Sequence, residues 1–388
     1  MKIKVGVIFG GETVEHEVSI ISALQAISNI DKEKYEVVPI YISKDRVWYT
    51  GDSLLEIENY KDIESLKNDC KEVVLTNKGN KCYLITLNGF FKSKIEIDVA
   101  FPIVHGNNVE DGSLQGYLET INIPYVGCGV LGASIGQDKV VMKQVFSSCD
   151  IPVVDYTWFY DSEYLNDKEE IVNNINKIGY PVVIKPACLG SSVGISVAKT
   201  EEELDEKIMD AIKYDSKIVV EKAIENLVEV NCSVYGNYEE QYASLIEEVT
   251  SSNDILTYKD KYLGDKKGSK SKGMVSASRI IPANISEDLT KKIQELSKKV
   301  YKTLNLGGVC RIDYLINSKT NEVFVNEPNT IPGSLSFYLW EPTGLKYSEL
   351  LDELIKIAVK SYKTKSKKTK SFSTNILSNY NGTKGIKK

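Results

Sequence analysis

The stretch 310–333, CRIDYLINSKTNEVFVNEPNTIPG, constrains the chain more than any other. Two runs of strand length, VCRIDYLI and EVFVNEPN, flank a polar turn at 317–321, the pattern of an antiparallel hairpin. A turn centred on Thr320 sets Asp313 opposite Glu327 and Arg311 opposite Asn329. Side chains two apart on a strand share a face, so these four stand together on one side of otherwise apolar strands. Three oxygen donors and a guanidinium suit a hard cation and phosphate oxygens. A solvated face laced with salt bridges fits the same pattern, and a one-residue slip would change the pairing. The run Asn329-Thr330-Ile331-Pro332-Gly333 then tips the reading toward a site, because such a loop lets backbone approach a ligand closely.

The rest of the chain has to supply partners for that face. Its 388 residues suffice for two or three domains with their own cores. No apolar run reaches the length that spans a bilayer. The opening MKIKVGVIFGGE lacks the long apolar region and cleavage site of a signal peptide, so it reads as a buried strand and the protein as cytoplasmic. Seven scattered cysteines without a CxxC pair argue for reduced thiols, and two histidines exclude a histidine-rich metal site. Residues 360–388 carry nine lysines and no acid, which leaves 39 basic against 54 acidic residues in the body. A body that acidic is a poor nucleic-acid binder, and the short basic tail reads as solvated.

At the N-terminus the apolar run 3–9, Gly10-Gly11 and a helical pattern over 14–28 form the opening of a parallel α/β unit, with a helix N-terminus available to an anion. The spacing is not that of a dinucleotide fingerprint. Strands at YEVVPIYIS, VAFPIVH and a lone PYVGCG complete a doubly wound unit, with a polar excursion of hairpin or loop character over 50–95. His105 ends one of these strands, where ligands of open α/β sheets bind, although a lone histidine there is as readily a structural hydrogen-bonder. A helix over 134–149 leads out. Next, YPVVIKPACLGSSVGISVAKT places Lys185 on a buried strand and Gly190-Ser191-Ser192-Val193-Gly194 in the loop after it, a set that can wrap polyphosphate oxygens. A plain hairpin with a Gly/Ser turn is the alternative. Glu221 interrupts another apolar strand, Glu229 follows, and the polar segment 251–273 has the length of an active-site lid. Helices over 286–304 and 346–361 flank the hairpin.

Taken together, GGETVEHEVS, HGNNVEDGSLQG, GQDK, KPACLGSSVG, CRID and NEPNTIPG, in this order, resemble the D-alanine–D-alanine ligases of the ATP-grasp superfamily over nearly the whole chain. The resemblance implies a mixed α/β and α+β, three-domain ATP-grasp architecture. A Rossmann-like N-terminal domain would occupy 1–137, a central lid 138–237, a C-terminal domain with the metal site 238–374 and a flexible basic tail 375–388. It implies an acid–D-amino-acid ligase that makes D-alanyl-D-alanine for peptidoglycan from ATP and D-amino acids, with two Mg²⁺ ions (Mn²⁺ as a substitute), in a homodimer. By motif, Lys139, Lys185, Ser192 and Lys261 would contact phosphates, Glu221 with Ala223 and Ile224 the adenine, and Glu229 the ribose. Asp313, Glu327 and Asn329 match the metal ligands. Glu15, supported by Ser191 and Tyr262, matches the carboxylate that meets the first substrate's ammonium, and His105 lies near the donor amino acid. Arg311 and the Gly333 amide would face the oxyanion of the tetrahedral intermediate, a role of charge rather than covalent chemistry.

The chain departs from the family beyond Gly333. Where a serine usually holds the acceptor's carboxylate, the run Ser334 to Trp340 places Tyr338. Cys188 and Lys259 also stand near positions where acids are common. The first departure leaves the acceptor open among D-alanine, D-serine, D-lactate or another. A catalytically silent nucleotide-binding protein is the reading from a different class.

Overall fold

Three apolar runs that alternate with helices build a parallel core, and the chain extends it with antiparallel strands. The structure, a computed structural model, describes residues 2–88, 93–190, 192–250 and 278–375. Strands β1 (Ile3–Gly10), β2 (Tyr35–Ile42), β3 (Trp48–Thr50), β4 (Lys71–Lys78), β5 (Lys81–Thr86), β6 (Lys94–Ile97) and β7 (Val99–Ile103) form one sheet in the order β6-β5-β4-β3-β2-β1-β7. Only β2, β1 and β7 are parallel. Helices α1 (His16–Asn29), α2 (Ile63–Asp69) and α3 (Ser113–Thr120) accompany it. The segment 50–95 has the hairpin among its expected characters: β4 and β5 pair antiparallel, with β6 added to β5 and α2 before them. The lone strand expected at PYVGCG reduces to an isolated bridge between Ala100 and Tyr125.

The helix expected over 134–149 is two helices, α4 (Val130–Gln137) and α5 (Lys139–Ser148). Asp138 separates them. Its carboxylate accepts from the N–H groups of Val140 at 2.9 Å and Val141 at 3.1 Å, so it caps the second helix rather than continuing the first. A four-stranded sheet follows, β8 (Tyr156–Tyr160), β9 (Val182–Pro186), β10 (Ser196–Ala198) and β11 (Lys217–Lys222) in the order β10-β9-β11-β8, with α6 (Asp161–Asn166), α7 (Glu169–Ile178) and α8 (Leu204–Ala211).

The third sheet holds β12 (Leu227–Gly236), β13 (Gln241–Thr250), β14 (Ser278–Ile280), β15 (Gly308–Asn317) and β16 (Glu322–Asn329), in the order β14-β13-β12-β15-β16. One face packs on α9 (Glu287–Thr303): Cys310, Ile312, Tyr314 and Ile316 from β15 join Ile293 and Val300 in one core. The residues between them, Arg311 and Asp313 among them, point the other way. The last helix, α10 (Tyr347–Ser366), buries Leu350, Leu351 and Leu354 in the core of the first sheet. There Asp352 accepts from Tyr35 at 2.7 Å and pairs with Lys34 at 2.9 Å. No helix among the described residues is long and apolar enough to cross a membrane, and all seven cysteines are free thiols.

At the carboxyl end of β1, Gly10 sits at φ +94°, and a Cβ there would collide with the carbonyl oxygen of Ile42. Left-handed backbone costs an L side chain about 1–3 kcal/mol before any collision. Gly10→Ala is therefore expected to lower stability by at least about 2 kcal/mol, read as a shifted denaturant midpoint at unchanged slope.

Candidate active site

The hairpin β15–β16 carries the site, and its register depends on one extra residue. Asn317 opposes Glu322 near the turn and Tyr314 opposes Val325, but Asp313 opposes Glu327 and Arg311 opposes Asn329. Asn326 is the bulged residue. Below it, Val323 and Val325 face the core; above it, the parity flips, and Glu327 and Asn329 turn to the side of Arg311 and Asp313. Without the bulge Glu327 would point into the packing against α9.

Arg311, Asp313 and Asn329 are hydrogen-bonded together, and Glu327 stands opposite Asp313 in the register. Arg311 donates from Nε and Nη2 to the two oxygens of Asp313, both at 2.7 Å, and Asn329 Nδ2 donates to Asp313 Oδ2 at 3.0 Å. This bidentate pair is partly buried. Burial would pull the Arg311 guanidinium down, but Asp313 outweighs it and holds its pKa well above the ordinary value.

Two lysines reach this face from the chain before it. Lys139, at the start of α5, pairs with Glu327 at 3.0 Å and donates to the carbonyl of Leu189 at 2.9 Å. It is buried, yet Glu327 more than offsets the desolvation and raises its pKa. Lys185, on β9, donates to the bulged Asn326 at 3.1 Å and pairs with Glu221 on β11 at 2.7 Å. Glu221 has a second cation, Lys143, at 3.0 Å. Lys143 lies one helical turn beyond Lys139, so both reach the site from one side of α5. Burial alone would raise the Glu221 carboxyl; Lys143 and Lys185 outweigh it and hold it down at about 2. Burial lowers the pKa of Lys143, against the attraction of Glu221.

The other side of the site comes from the first sheet. Glu15 occupies the N-cap position of α1 and is buried. A Cβ at Gly106 or at Gly190 would come within 3.4 Å or 3.3 Å of its carboxylate, so both glycines let their loops close over it. His105 is buried beneath. Its Nδ1 lies 2.7 Å from the carbonyl of Ile331 and its Nε2 3.0 Å from Ser22 Oγ. A carbonyl can only accept, so Nδ1 carries the proton and Nε2 accepts from the serine. Ser22 in turn accepts from the N–H of Ser334 at 3.0 Å. Burial keeps this imidazole neutral by lowering its pKa. His105 thus ties the end of β7 to the loop after β16. His16 repeats the arrangement, with Nδ1 on the Gly11 carbonyl at 2.6 Å and Nε2 accepting from Tyr41 at 3.0 Å.

The remaining expected residues are dispersed around this centre. Ser192 stands at φ +58° in the β9–β10 loop. Glu229 shares the site face of β12 with Asn231, and the Ala223 N–H, which donates to the Pro181 carbonyl at 3.1 Å, lies with Ile224 in the β11–β12 connection. Gly333 opens a turn in which Ser334, Leu335 and Ser336 are all left-handed, with φ of 51°, 52° and 52°. The Tyr338 hydroxyl donates to Glu247 at 3.0 Å. Ser191, Lys261 and Tyr262, with the expected lid over 251–273, lie outside the described residues.

Several contributors escaped the sequence reading. Lys143 was visible as a second lysine four residues after Lys139. Glu110, inside a motif already singled out, accepts from the N–H groups of Gly106 at 2.7 Å and Ile331 at 3.2 Å. Burial first, and then the charge of Glu15, push its carboxyl up to about 8. A cationic group between the loops would relieve the repulsion between Glu15 and an ionised Glu110. Asn326, Asn231, Glu247 and Arg279 carried no local signal.

Among the described residues no three His, Cys, Asp or Glu side chains gather into a metal cluster. Two carboxylates and an amide on one face are what Mg²⁺ takes when substrate phosphates complete its shell, so Asp313, Glu327 and Asn329 fit that ion.

Comparison with known proteins identifies the family. The family description "D-ala D-ala ligase N-terminus" matches residues 4–128, and "D-ala D-ala ligase C-terminus" matches 145–356. The chain is 40% identical to a D-alanine–D-alanine ligase of Thermosipho melanesiensis over 97% of its own length and 98% of the relative's. Among solved structures, the D-alanine–D-alanine ligase of Coxiella burnetii superposes with a TM-score of 0.80 at 29% identity, covering 94% of this chain and 96% of that one. The D-Ala:D-Ser ligase VanG of Enterococcus faecalis gives 0.76 at 30% identity, covering 92% and 100%. The chain belongs to the D-alanine–D-alanine ligase family, with its ATP-grasp fold.

Proposed function

We propose that the protein joins two D-alanine molecules at the expense of ATP, yielding D-alanyl-D-alanine, ADP and phosphate. The observation that carries this reading is the meeting of Asp313, Glu327 and Asn329 with Lys139 and Lys185 on one face of the third sheet. In the first step a carboxylate oxygen of the donor attacks the γ-phosphorus and ADP leaves, which gives an acyl phosphate. In the second the acceptor's amine attacks the acyl carbon, loses a proton, and phosphate leaves. Both steps concentrate negative charge, which Lys139, Lys185 and Arg311 stabilise without forming a bond. Mg²⁺ held by Asp313, Glu327 and Asn329 would neutralise phosphate charge. Glu15 and Glu110 would receive the donor's ammonium. Ser192, with Ser191, Lys261 and Tyr262 of the segments not described, would close on the phosphates and donor. Adenine and ribose would lie along Glu221, Ala223, Ile224 and Glu229.

The domain limits 1–137, 138–237 and 238–374, a cytoplasmic setting, a role in peptidoglycan synthesis and a homodimer belong to the same proposal. D-serine is the competing acceptor, favoured by the likeness to the D-Ala:D-Ser ligase. With D-alanine as donor, an acceptor screen is expected to give D-alanine the highest turnover per unit concentration; a higher value for D-serine would reassign the product. Asp313→Asn or Glu327→Gln is expected to cut phosphate release by roughly 10²–10³-fold and raise the Mg²⁺ concentration needed for half-maximal rate. Undiminished turnover in either variant would remove the metal assignment.

Lys185 is shared between the phosphate side and Glu221, so bound phosphate would draw it away and leave Lys143 to neutralise Glu221. A carboxyl held at about 2, below its ordinary 4.5, stabilises the fold above pH 4.5 and loses that contribution as pH falls toward 2. Lys143→Met is expected to cost on the order of 3 kcal/mol at pH 7. The deficit should shrink below about pH 4 as Glu221 protonates in the variant, measured by denaturant midpoints across the acid range.

A further inference from the structure

The turn that delivers Glu15 is fastened from beneath by a histidine with no part in the proposed chemistry. Gly10 and Gly11 are both left-handed, at φ +94° and +93°, and lead from β1 toward α1. The Gly10 N–H donates to Ser19 Oγ at 2.9 Å, and that hydroxyl donates on to the carbonyl of Ile103, the end of β7, at 2.6 Å. The Gly11 N–H donates to the Ile42 carbonyl at 2.7 Å. The Gly11 carbonyl accepts twice, from the Thr13 N–H at 3.1 Å and from His16 Nδ1 at 2.6 Å. His16 is the first residue of α1 and directly follows Glu15, whose side chain makes no capping hydrogen bond to the helix. The imidazole is 2% exposed. Its Nε2 meets the Tyr41 hydroxyl at 3.0 Å. Tyr41 is itself buried on β2, with the rings of Phe9 and Tyr60 at centroid distances of 5.9 Å and 5.6 Å, and a Cβ at Gly10 would strike its ring.

We propose that His16 is a positioning residue for donor binding: held in one orientation by Tyr41, it ties the Gly10–Gly11 turn to the first turn of α1 and so fixes where the Glu15 carboxylate stands. The assignment rests on the ligase reading, in which Glu15 receives the donor's ammonium. A carbonyl can only accept, so the Gly11 oxygen selects the tautomer with the proton on Nδ1. Nε2 is then an acceptor, and the Tyr41 hydroxyl donates to it and sets the plane of the ring. An apolar ring would fill the same space, whereas a buried imidazole costs free energy unless its nitrogens are bonded. Packing alone therefore does not account for a histidine here; its two hydrogen bonds act on the path of the turn. Successive Cα atoms are about 3.8 Å apart, so the first turn of α1 cannot shift without carrying Glu15. The loop after β7 leaves little slack, since a Cβ at Gly106 would come within 2.2 Å of Thr13 Oγ1 and 3.4 Å of Glu15 Oε2. Misplacing a substrate-positioning group by about 1 Å can cost about a hundredfold in rate.

The test uses the full-length protein with ATP, Mg²⁺, varied D-alanine and excess hydroxylamine, which intercepts the acyl phosphate. The hydroxylamine nitrogen bonds to the acyl carbon and loses a proton, phosphate leaves, and the hydroxamate reports donor use apart from acceptor binding. His16→Phe, which fills the same space, is expected to raise the KM for D-alanine by roughly tenfold or more and to leave the KM for ATP unmoved. His16→Asn carries an amide nitrogen where the imidazole has Nδ1 and is expected to recover most of that loss. His16→Gln, whose amide reaches the place of Nε2 instead, is not. The Asn and Gln variants carry the test if His16→Phe fails to fold. Nitrogen-15 NMR of the wild type is expected to show His16 protonated on Nδ1 and bare on Nε2, a reading independent of turnover. An unchanged D-alanine KM in folded His16→Phe, equal changes in the D-alanine and ATP constants, equal behaviour of the Asn and Gln variants, or a proton on Nε2 alone would overturn the assignment. A wild type that yields neither hydroxamate nor dipeptide would instead overturn the ligase reading on which it rests.

Discussion

Everything chemical in this molecule depends on a half-step of β-sheet parity introduced at Asn326. In a two-residue repeat, side chains of β16 that begin in the core at Val323 and Val325 would return to it at Glu327. One inserted residue reverses the faces. A carboxylate that would have been buried against α9 then faces Asp313, and the inserted residue itself receives Lys185 from the central sheet. The same defect in the ladder thus turns Glu327 toward Asp313 and holds Lys185 at Asn326. Bulges next to sites serve this purpose generally.

The charges are arranged so that Asp313, Glu327 and Glu221 each have a cation in contact before substrate arrives. Asp313 holds Arg311, Glu327 holds Lys139, and Glu221 is shared by Lys143 and Lys185. Such pairs repay the desolvation of their members only while both are present. On the proposed function, polyphosphate and its metal would enter by exchange, with metal in place of lysine on Glu327 and phosphate in place of carboxylate on Lys139. The number of unpaired buried charges stays nearly constant through that exchange, which keeps its cost low.

Much of this was legible in the sequence because hairpin pairing is local. The opposition of Asp313 to Glu327 was predicted from a turn centred on Thr320. The observed turn centres slightly earlier, with Asn317 opposite Glu322, and the bulge restores the predicted pairing at the site. Two departures cancelled, since a bulge leaves no mark that alternation alone can read. The parallel core around β1 was legible for the same local reason, as continuous apolar runs. The break at Asp138 could have been read from its capping chemistry, and the hairpin character of 50–95 was legible in the strands now seen as β4 and β5. Glu247 and Arg279 were invisible. They reach the site only through the register of β13 and β14 against β12, which no neighbouring residue in the chain specifies.

Register sets Glu327, Asp313, Asn231 and Glu247 side by side across β16, β15, β12 and β13, a polar row that acts as a ruler. Neighbouring strands lie about 4.8 Å apart, so four of them fix its ends roughly 14 Å from one another. An extended dipeptide spans about 7 Å, and a phosphoryl group occupies much of the rest. Backbone hydrogen bonds set that spacing, and no side-chain substitution can stretch it. Among the described residues, the left-handed turn of Ser334, Leu335 and Ser336 with the Tyr338 ring beyond it would be what adjusts to a longer or bulkier acceptor on the proposed function. On the proposed function, product length would be a property of the sheet, and product identity a property of the run from Ser334 to Trp340.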